Sequence, residues 1–229
     1  MSIRTKIIVI SVVMLSLYSG FDFLLQQAVI RPSYLELERE EAYRDLDRCR
    51  KAIRREIEHL HQFCYDWASW DDTYEFAANN MPHYAESNLT PVTFYDNELN
   101  LIGILDLEGN PLWSGAYDLE TELPIDAADF AGEQWRSRGK LLEPGVEGGI
   151  SGIISTSLGP MLISSRAILR SDNSGPSRGV LLMGRFLNET MIEMLQEQTQ
   201  VSMYLRSPDD PALAEAKSPL PANAPIDPP

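Results

Sequence analysis

The 229-residue chain has little of what most enzymes need: two cysteines, three histidines and no assembled catalytic motif. His59, His61 and His83 lack the HExxH spacing of zinc proteases, and His59 and His61 fall on different faces of a helix. Neither a G-x-S-x-G nucleophile elbow nor a GxxxxGK[ST] phosphate loop occurs. The glycine-rich run Gly145-Val146-Glu147-Gly148-Gly149 has no lysine and precedes a strand pattern, so it reads as a loop. Asp66, Asp71 and Asp72 radiate in different directions and lack the EF-hand register. No catalytic function, cofactor or metal is therefore expected. Positive charge is also scarce, with 19 Lys and Arg against 34 Asp and Glu and a net charge of −15. Arg4, Lys6 and Asp22 are the only charges before residue 31, and taking their +1 from −15 leaves −16 for the remainder. That excess argues against nucleic acid or anionic lipid as partner of this remainder, because phosphate contacts need clustered Lys and Arg. It fits an acidic soluble domain and admits cationic or amine-bearing ligands.

A single long apolar run is present. Ile7 to Leu25 is broken only by Ser11, Ser16, Ser19, Gly20 and Asp22. As a helix it spans roughly 28 Å, close to the ~30 Å hydrocarbon core. Arg4 and Lys6 precede it, which places the N-terminus in the cytoplasm and the rest outside. A cleaved signal peptide has the same basic start, but this stretch exceeds a typical h-region, and Leu24-Leu25-Gln26-Gln27 is a poor cleavage site. The reading adopted is an uncleaved anchor with the domain in the periplasm.

Residues 33–68 read as one long helix, with eight acids and seven bases between Glu36 and Glu58. The mixed signs make a solvated face. Beneath it, Leu46, Cys49, Ile53, Ile57, Leu60, Cys64 and Trp67 form a narrow seam suited to packing on a sheet or to a two-helix dimer contact. Within one helix Cys49 and Cys64 lie about 22 Å apart, beyond disulfide reach. They are either two small apolar residues or, for Cys49, an interchain bond across a parallel homodimer seam at 46–60.

Short helices are expected at Thr73–Asn79 and Tyr84–Asn88, then a hairpin of Leu101–Leu107 and Leu112–Tyr117 about Glu108-Gly109-Asn110-Pro111. A helix over Asp126–Arg138 follows. An antiparallel meander of Ile150–Ser157, Met161–Arg170 and Gly179–Phe186 comes next, then a helix capped by Asn188 and a further strand at Val201–Arg206. From Ser207 onward seven of 23 residues are proline, which reads as linker or tail. The class is α+β, with an antiparallel sheet that needs a helix layer on at least one face. Three segments result: residues 1–30 as cytoplasmic start and anchor, 31–206 as the exported domain, and 207–229 as the tail.

The stretch from Asp66 to Phe76 interleaves aromatic residues with aspartates. Read as helix, Phe63, Trp67, Trp70 and Tyr74 form one stripe with Asp71 in or beside it. A desolvated carboxylate needs a partner, here a backbone amide, an arginine or a ligand. Two readings stand. Ser69-x-x-Asp72 resembles a capping box at a junction of two helices; alternatively, aromatic faces and carboxylates floor a pocket for a cationic or polar ligand. Arg166 and Arg185 sit in strand-like apolar runs, and if they face the core Asp71 or Asp72 are candidate partners.

The block Asp66-Trp67-Ala68-x-Trp70-Asp71-Asp72-x-Tyr74-x-Phe76, followed by Tyr84-x-x-x-Asn88-Leu89, resembles the CHASE domain of type four, an extracellular sensory domain of bacterial histidine kinases and diguanylate cyclases. Leu99–Ile102, Gly159–Leu162, Ser171–Pro176 and Gly179–Leu187 extend the resemblance over residues 35–206. It implies a PAS-like, Cache-related sensor: a long membrane-emergent helix on an antiparallel sheet, with a pocket between sheet and short helices. On that basis Trp67, Trp70, Asp71, Tyr74, Asn88 and Arg166 are the expected ligand-binding residues. The expected function is a single-pass, inner-membrane sensor that binds a small molecule and signals through its membrane helix. It would be part or relic of a receptor with two-component or cyclic-di-GMP output, since no kinase or cyclase follows in this chain. The alternative is a membrane-tethered dimerisation module without a ligand.

Overall fold

The computed structural model describes residues 2–79, 82–125, 139–143, 145 and 148–206. It divides into two units, Met1–Ala52 and Ile53–Pro229. In the first, α1 (Ile3–Leu25) has no buried residue and passes through a π turn, Gln26–Ile30, into α2 (Arg31–Ala68). Pairs at i,i+4 form on its solvated face: Arg44 lies 3.8 Å from Glu40 and Lys51 2.7 Å from Asp47. The 66-residue helical stretch contains the one span, among the described residues, that is long and apolar enough to cross a membrane.

The second unit holds the last turns of α2, then α3 (Asp71–Asn79), α4 (Pro82–Asn88) and α5 (Pro91–Asp96). Next come β1 (Leu101–Leu105), β2 (Pro111–Ala116), a short α6 (Gly139–Leu142), β3 (Ile150–Thr156), β4 (Gly159–Ala167), β5 (Val180–Phe186) and α7 (Glu189–Thr199). The strands form a five-stranded antiparallel sheet in the order β2-β1-β5-β4-β3. The β1–β2 hairpin is built as its turn residues dictate. Asp106 Oδ1 accepts the amides of Glu108 (2.9 Å) and Asn110 (2.7 Å), and Gly109 supplies a φ of 80°.

Burial follows position in the sheet. β1 is buried throughout and β4 from Met161 to Arg166, whereas edge strand β3 alternates. One face packs Leu101, Leu105, Met161, Ile163 and Leu182 with Leu141 of α6, and the Ser165 hydroxyl donates to the Leu141 carbonyl. On the other face, Cys64 of α2 is completely buried, with Sγ 3.6 Å from the Leu181 carbonyl. Burial pushes its thiol up to about 12. Asn188 caps α7 as expected, its side-chain oxygen accepting the Met191 amide at 3.0 Å.

Three expectations need correction. Val201–Arg206 is not a strand: Gln200 turns the chain left-handed (φ 57°), and the Met203 amide bonds back to the Gln196 side chain at 3.2 Å. Helix α5 went unread, although Thr90-Pro91 is a helix start with proline at the first turn. Ser69 and Asp72 do not form a capping box, because α3 begins later. The Trp70 carbonyl accepts the Tyr74 amide (3.0 Å), and Asp71 and Asp72 fill the first turn, where negative charge is favoured. The expected helix Asp126–Arg138 and the tail beyond Arg206 lie outside the described residues.

Candidate functional site: a helix–sheet cleft at Arg185

The aromatic–aspartate block is a junction. At the end of α2 the Ser69 amide reaches Tyr65 O (3.0 Å) and the Trp70 amide reaches Trp67 O (3.3 Å), which turns the chain into α3. The stripe survives that break as far as Trp70. Phe63 and Trp67 have ring centres 5.8 Å apart, and Trp67 stacks on Trp70 at 4.8 Å, with Trp70 still 41% exposed.

Asp71 has a protein partner. Its carboxylate accepts both the amide and the hydroxyl of Ser171, each at 3.1 Å, fastening α3 to the β4–β5 loop. Tyr74, 2% exposed, serves the same loop. Its hydroxyl donates to the Pro176 carbonyl (3.3 Å) and accepts from Arg178 Nε (3.1 Å), while the Arg170 guanidinium lies 4.5 Å above its ring. The Asn88 side chain donates to the Tyr84 carbonyl at 3.1 Å within α4. Arg166 lies on β4 over the ring of Tyr65, away from both groups. The six expected residues thus fall into four places, and none of them lines either cavity described below. Neither Arg166 nor Arg185 pairs with the candidate partners Asp71 or Asp72: Ser171 holds Asp71, and Arg185 takes other acids.

Arg185 organises a cleft that sequence reasoning missed. It projects from β5 toward α2, where Nη1 meets Glu56 Oε2 at 3.4 Å. Nη2 meets Glu98 Oε2 at 3.0 Å and the Asn97 carbonyl at 3.2 Å, and Nε donates to the Glu98 carbonyl at 2.7 Å. Side-chain exposure is only 20% for Arg185 and 11% for Glu56, so removing one partner costs more here than in a surface pair. Glu98 takes a left-handed backbone (φ 50°) to present both its carbonyl and its carboxylate. A cavity of about 300 Å³ opens beside this pair, floored by His59, Leu60 and Phe63 of α2 and by Leu99. A second cavity, of about 330 Å³, lies beyond the Glu98–Arg185 pair, among Tyr95, Glu120, Phe186, Met191 and Met194. The one ion pair therefore walls both. The sequence leaves the facing of Arg185 open, Glu56 is hidden in the charged run of α2, and a left-handed glutamate leaves no trace in sequence.

His61 contacts β4 on the same face, with Nδ1 3.0 Å from Ser164 Oγ. Burial, and then the neighbouring Arg166 guanidinium, hold its pKa below the ordinary 6.5. A histidine whose folded pKa is depressed binds fewer protons folded than unfolded, so its stabilising contribution is intact above pH 6.5 and is lost as pH falls below it. Melting temperature should therefore decline on acidification from pH 6.5, and His61→Gln should flatten that slope.

The CHASE4 domain family's sequence model matches residues 52–206. Over 153 residues the chain is 25% identical to the methanogenesis regulatory histidine kinase FilI of Methanothrix harundinacea (strain 6Ac), a match covering 67% of this chain and 17% of that protein's length. Three solved structures share the fold. The extracellular domain of a protein designated histidine kinase vpHK1S-Z8 superposes with a TM-score of 0.52 at 16% identity, over 70% of this chain and 63% of that one. A domain assigned to the sensory box/GGDEF family from Vibrio parahaemolyticus gives 0.50 at 15% identity, over 75% and 72%. The sensor domain of the V. cholerae histidine kinase DctB gives 0.51 at 14% identity, over 74% and 61%. With the long helix, the antiparallel sheet and the aspartate–tryptophan block all present, the chain belongs to the CHASE4 domain family.

Proposed function

We propose that this chain is the PAS-like sensory portion of a membrane-anchored bacterial receptor. It binds a small molecule in the Arg185 cleft outside the cytoplasmic membrane and passes the signal along α2. The observation that carries this reading is the tie from Arg185 to Glu56: a sheet arginine grips the long helix at the wall of a cavity. A ligand that competes for Arg185 or Glu56 changes the partners of α2, and it shifts the helix only through its differing affinity for the two arrangements. Residues 1–30 supply the anchor and 31–206 the sensor. FilI being a histidine kinase, and one structural neighbour belonging to a GGDEF family, support a kinase or cyclase output. A thermal-shift screen of amines, amino acids, carboxylates and divalent cations on the full chain in detergent tests the reading. One class should raise the melting temperature of the wild type and lose most of that effect in Arg185→Met. A chain that responds to none of them counts against it.

The receptor works as a parallel homodimer in this proposal. Leu46 is 58% exposed on α2, and Cys49 one turn on is half-buried. Mild oxidation in membranes should then give a disulfide-linked dimer that disappears in Cys49→Ser and persists in Cys64→Ser, because Cys64 is buried and its thiol strongly protonated. A monomer under all oxidising conditions would contradict the dimer.

A further inference from the structure

We infer that Arg166 is the core of an oxyanion-binding site distinct from the Arg185 cleft. Arg166 lies on β4 opposite Leu181 and is only 9% exposed, yet among the described residues its side chain has no acid within ion-pair distance and no hydrogen bond. Between Arg or Lys and an acid of another element, the pairs seen among the described residues are made by Arg170 and Arg185. The described surroundings hold the guanidinium without neutralising it. Its Cζ lies 4.5 Å from the centre of the Tyr65 ring, a contact that positions the guanidinium without using its N–H donors in a hydrogen bond. His61, one turn earlier on α2, has its pKa lowered by burial and then by Arg166 itself, with Ser164 Oγ 3.0 Å from Nδ1.

Gly149 completes the cradle. It has a φ of +66°, and a Cβ there would collide with Arg166 Cδ and lie 2.8 Å from both His61 Cε1 and the Ser165 carbonyl. Only glycine lets the loop close over the arginine stem. An uncompensated buried charge is costly, and the group that satisfies a planar fork of N–H donors is a carboxylate or phosphate, which takes two parallel bonds. The rest of the domain is strongly acidic, so an anion drawn here is held by this local geometry and not by the general field.

The test uses the full chain in detergent, titrated with sodium acetate, malonate or phosphate against sodium chloride at matched ionic strength. An oxyanion should raise the melting temperature saturably, by roughly 5 °C near hundredfold saturation, whereas chloride should not. The carboxylates and phosphate distinguish which oxyanion the fork prefers. Arg166→Met should fold, match or exceed the wild type in chloride, and show no oxyanion response. Should Arg166→Met fail to fold, Arg166→Lys decides: it keeps the charge without the fork and should lose most of the shift. Arg185→Met should retain the shift, which separates this site from the cleft. Equal melting temperatures in oxyanion and chloride, or an undiminished shift in Arg166→Met or Arg166→Lys, overturn the inference.

Discussion

Gly179→Ala is expected to cost roughly 2–5 kcal/mol, combining backbone strain with overpacking, and to lower the melting temperature by about 10 °C. Gly179 has a φ of +153°, and a Cβ there would collide with the Leu105 carbonyl oxygen and lie 3.1 Å from its carbon. This is where β5 begins beside β1: Val180 pairs with Leu105, and the Gly179 carbonyl accepts the Ile168 amide at 2.9 Å. A side chain would push the two central strands apart at one end and disturb β4 as well. Gly152→Ala is the matched control. It sits on β3 with nothing within 4 Å of its notional Cβ, so alanine there should be close to neutral. Thermal unfolding of the two variants side by side checks the difference.

Arg185→Met is the second large effect. It removes ion pairs to Glu56 and Glu98 and bonds to the Asn97 and Glu98 carbonyls, and it leaves the Glu56 carboxylate 11% exposed without its cation. Losing one partner of a largely buried pair costs about 2–4 kcal/mol. Glu56→Gln should cost less, because glutamine still accepts a bond from the guanidinium. A double-mutant cycle of Glu56→Leu with Arg185→Met should show a coupling of about 0.5–3 kcal/mol. Purely additive losses would mean that the two residues act apart and that α2 is not gripped at this point.

Local structure was legible in the sequence because local forces set it. Alternation and the Asp106–Gly109 turn disclose the β1–β2 hairpin, Asn188 discloses the start of α7, and the apolar seam from Leu60 to Trp67 discloses the face of α2 that packs. The placement of β5 between β1 and β4 was beyond that reach, since it joins segments far apart in the chain. The same limit applied to the site. Asp71 needs a partner, and the sequence says so, but Ser171 is 100 residues away and nothing local selects it over an arginine or a ligand. Arg185 finds Glu56 across 129 residues, and Glu56 looks like any solvated acid of its run. Within the aromatic–aspartate block, Asp71 fastens a helix junction to a loop, a tie that only the tertiary fold selects.

Hydrogen exchange measured along the chain, with and without a compound that stabilises the wild type in the screen, tests the central claim most directly. Protection should change at residues 56–63 of α2 and at 97–99, the two sides of the Arg185 cleft. A change confined to other segments, with 56–63 untouched, would contradict the account.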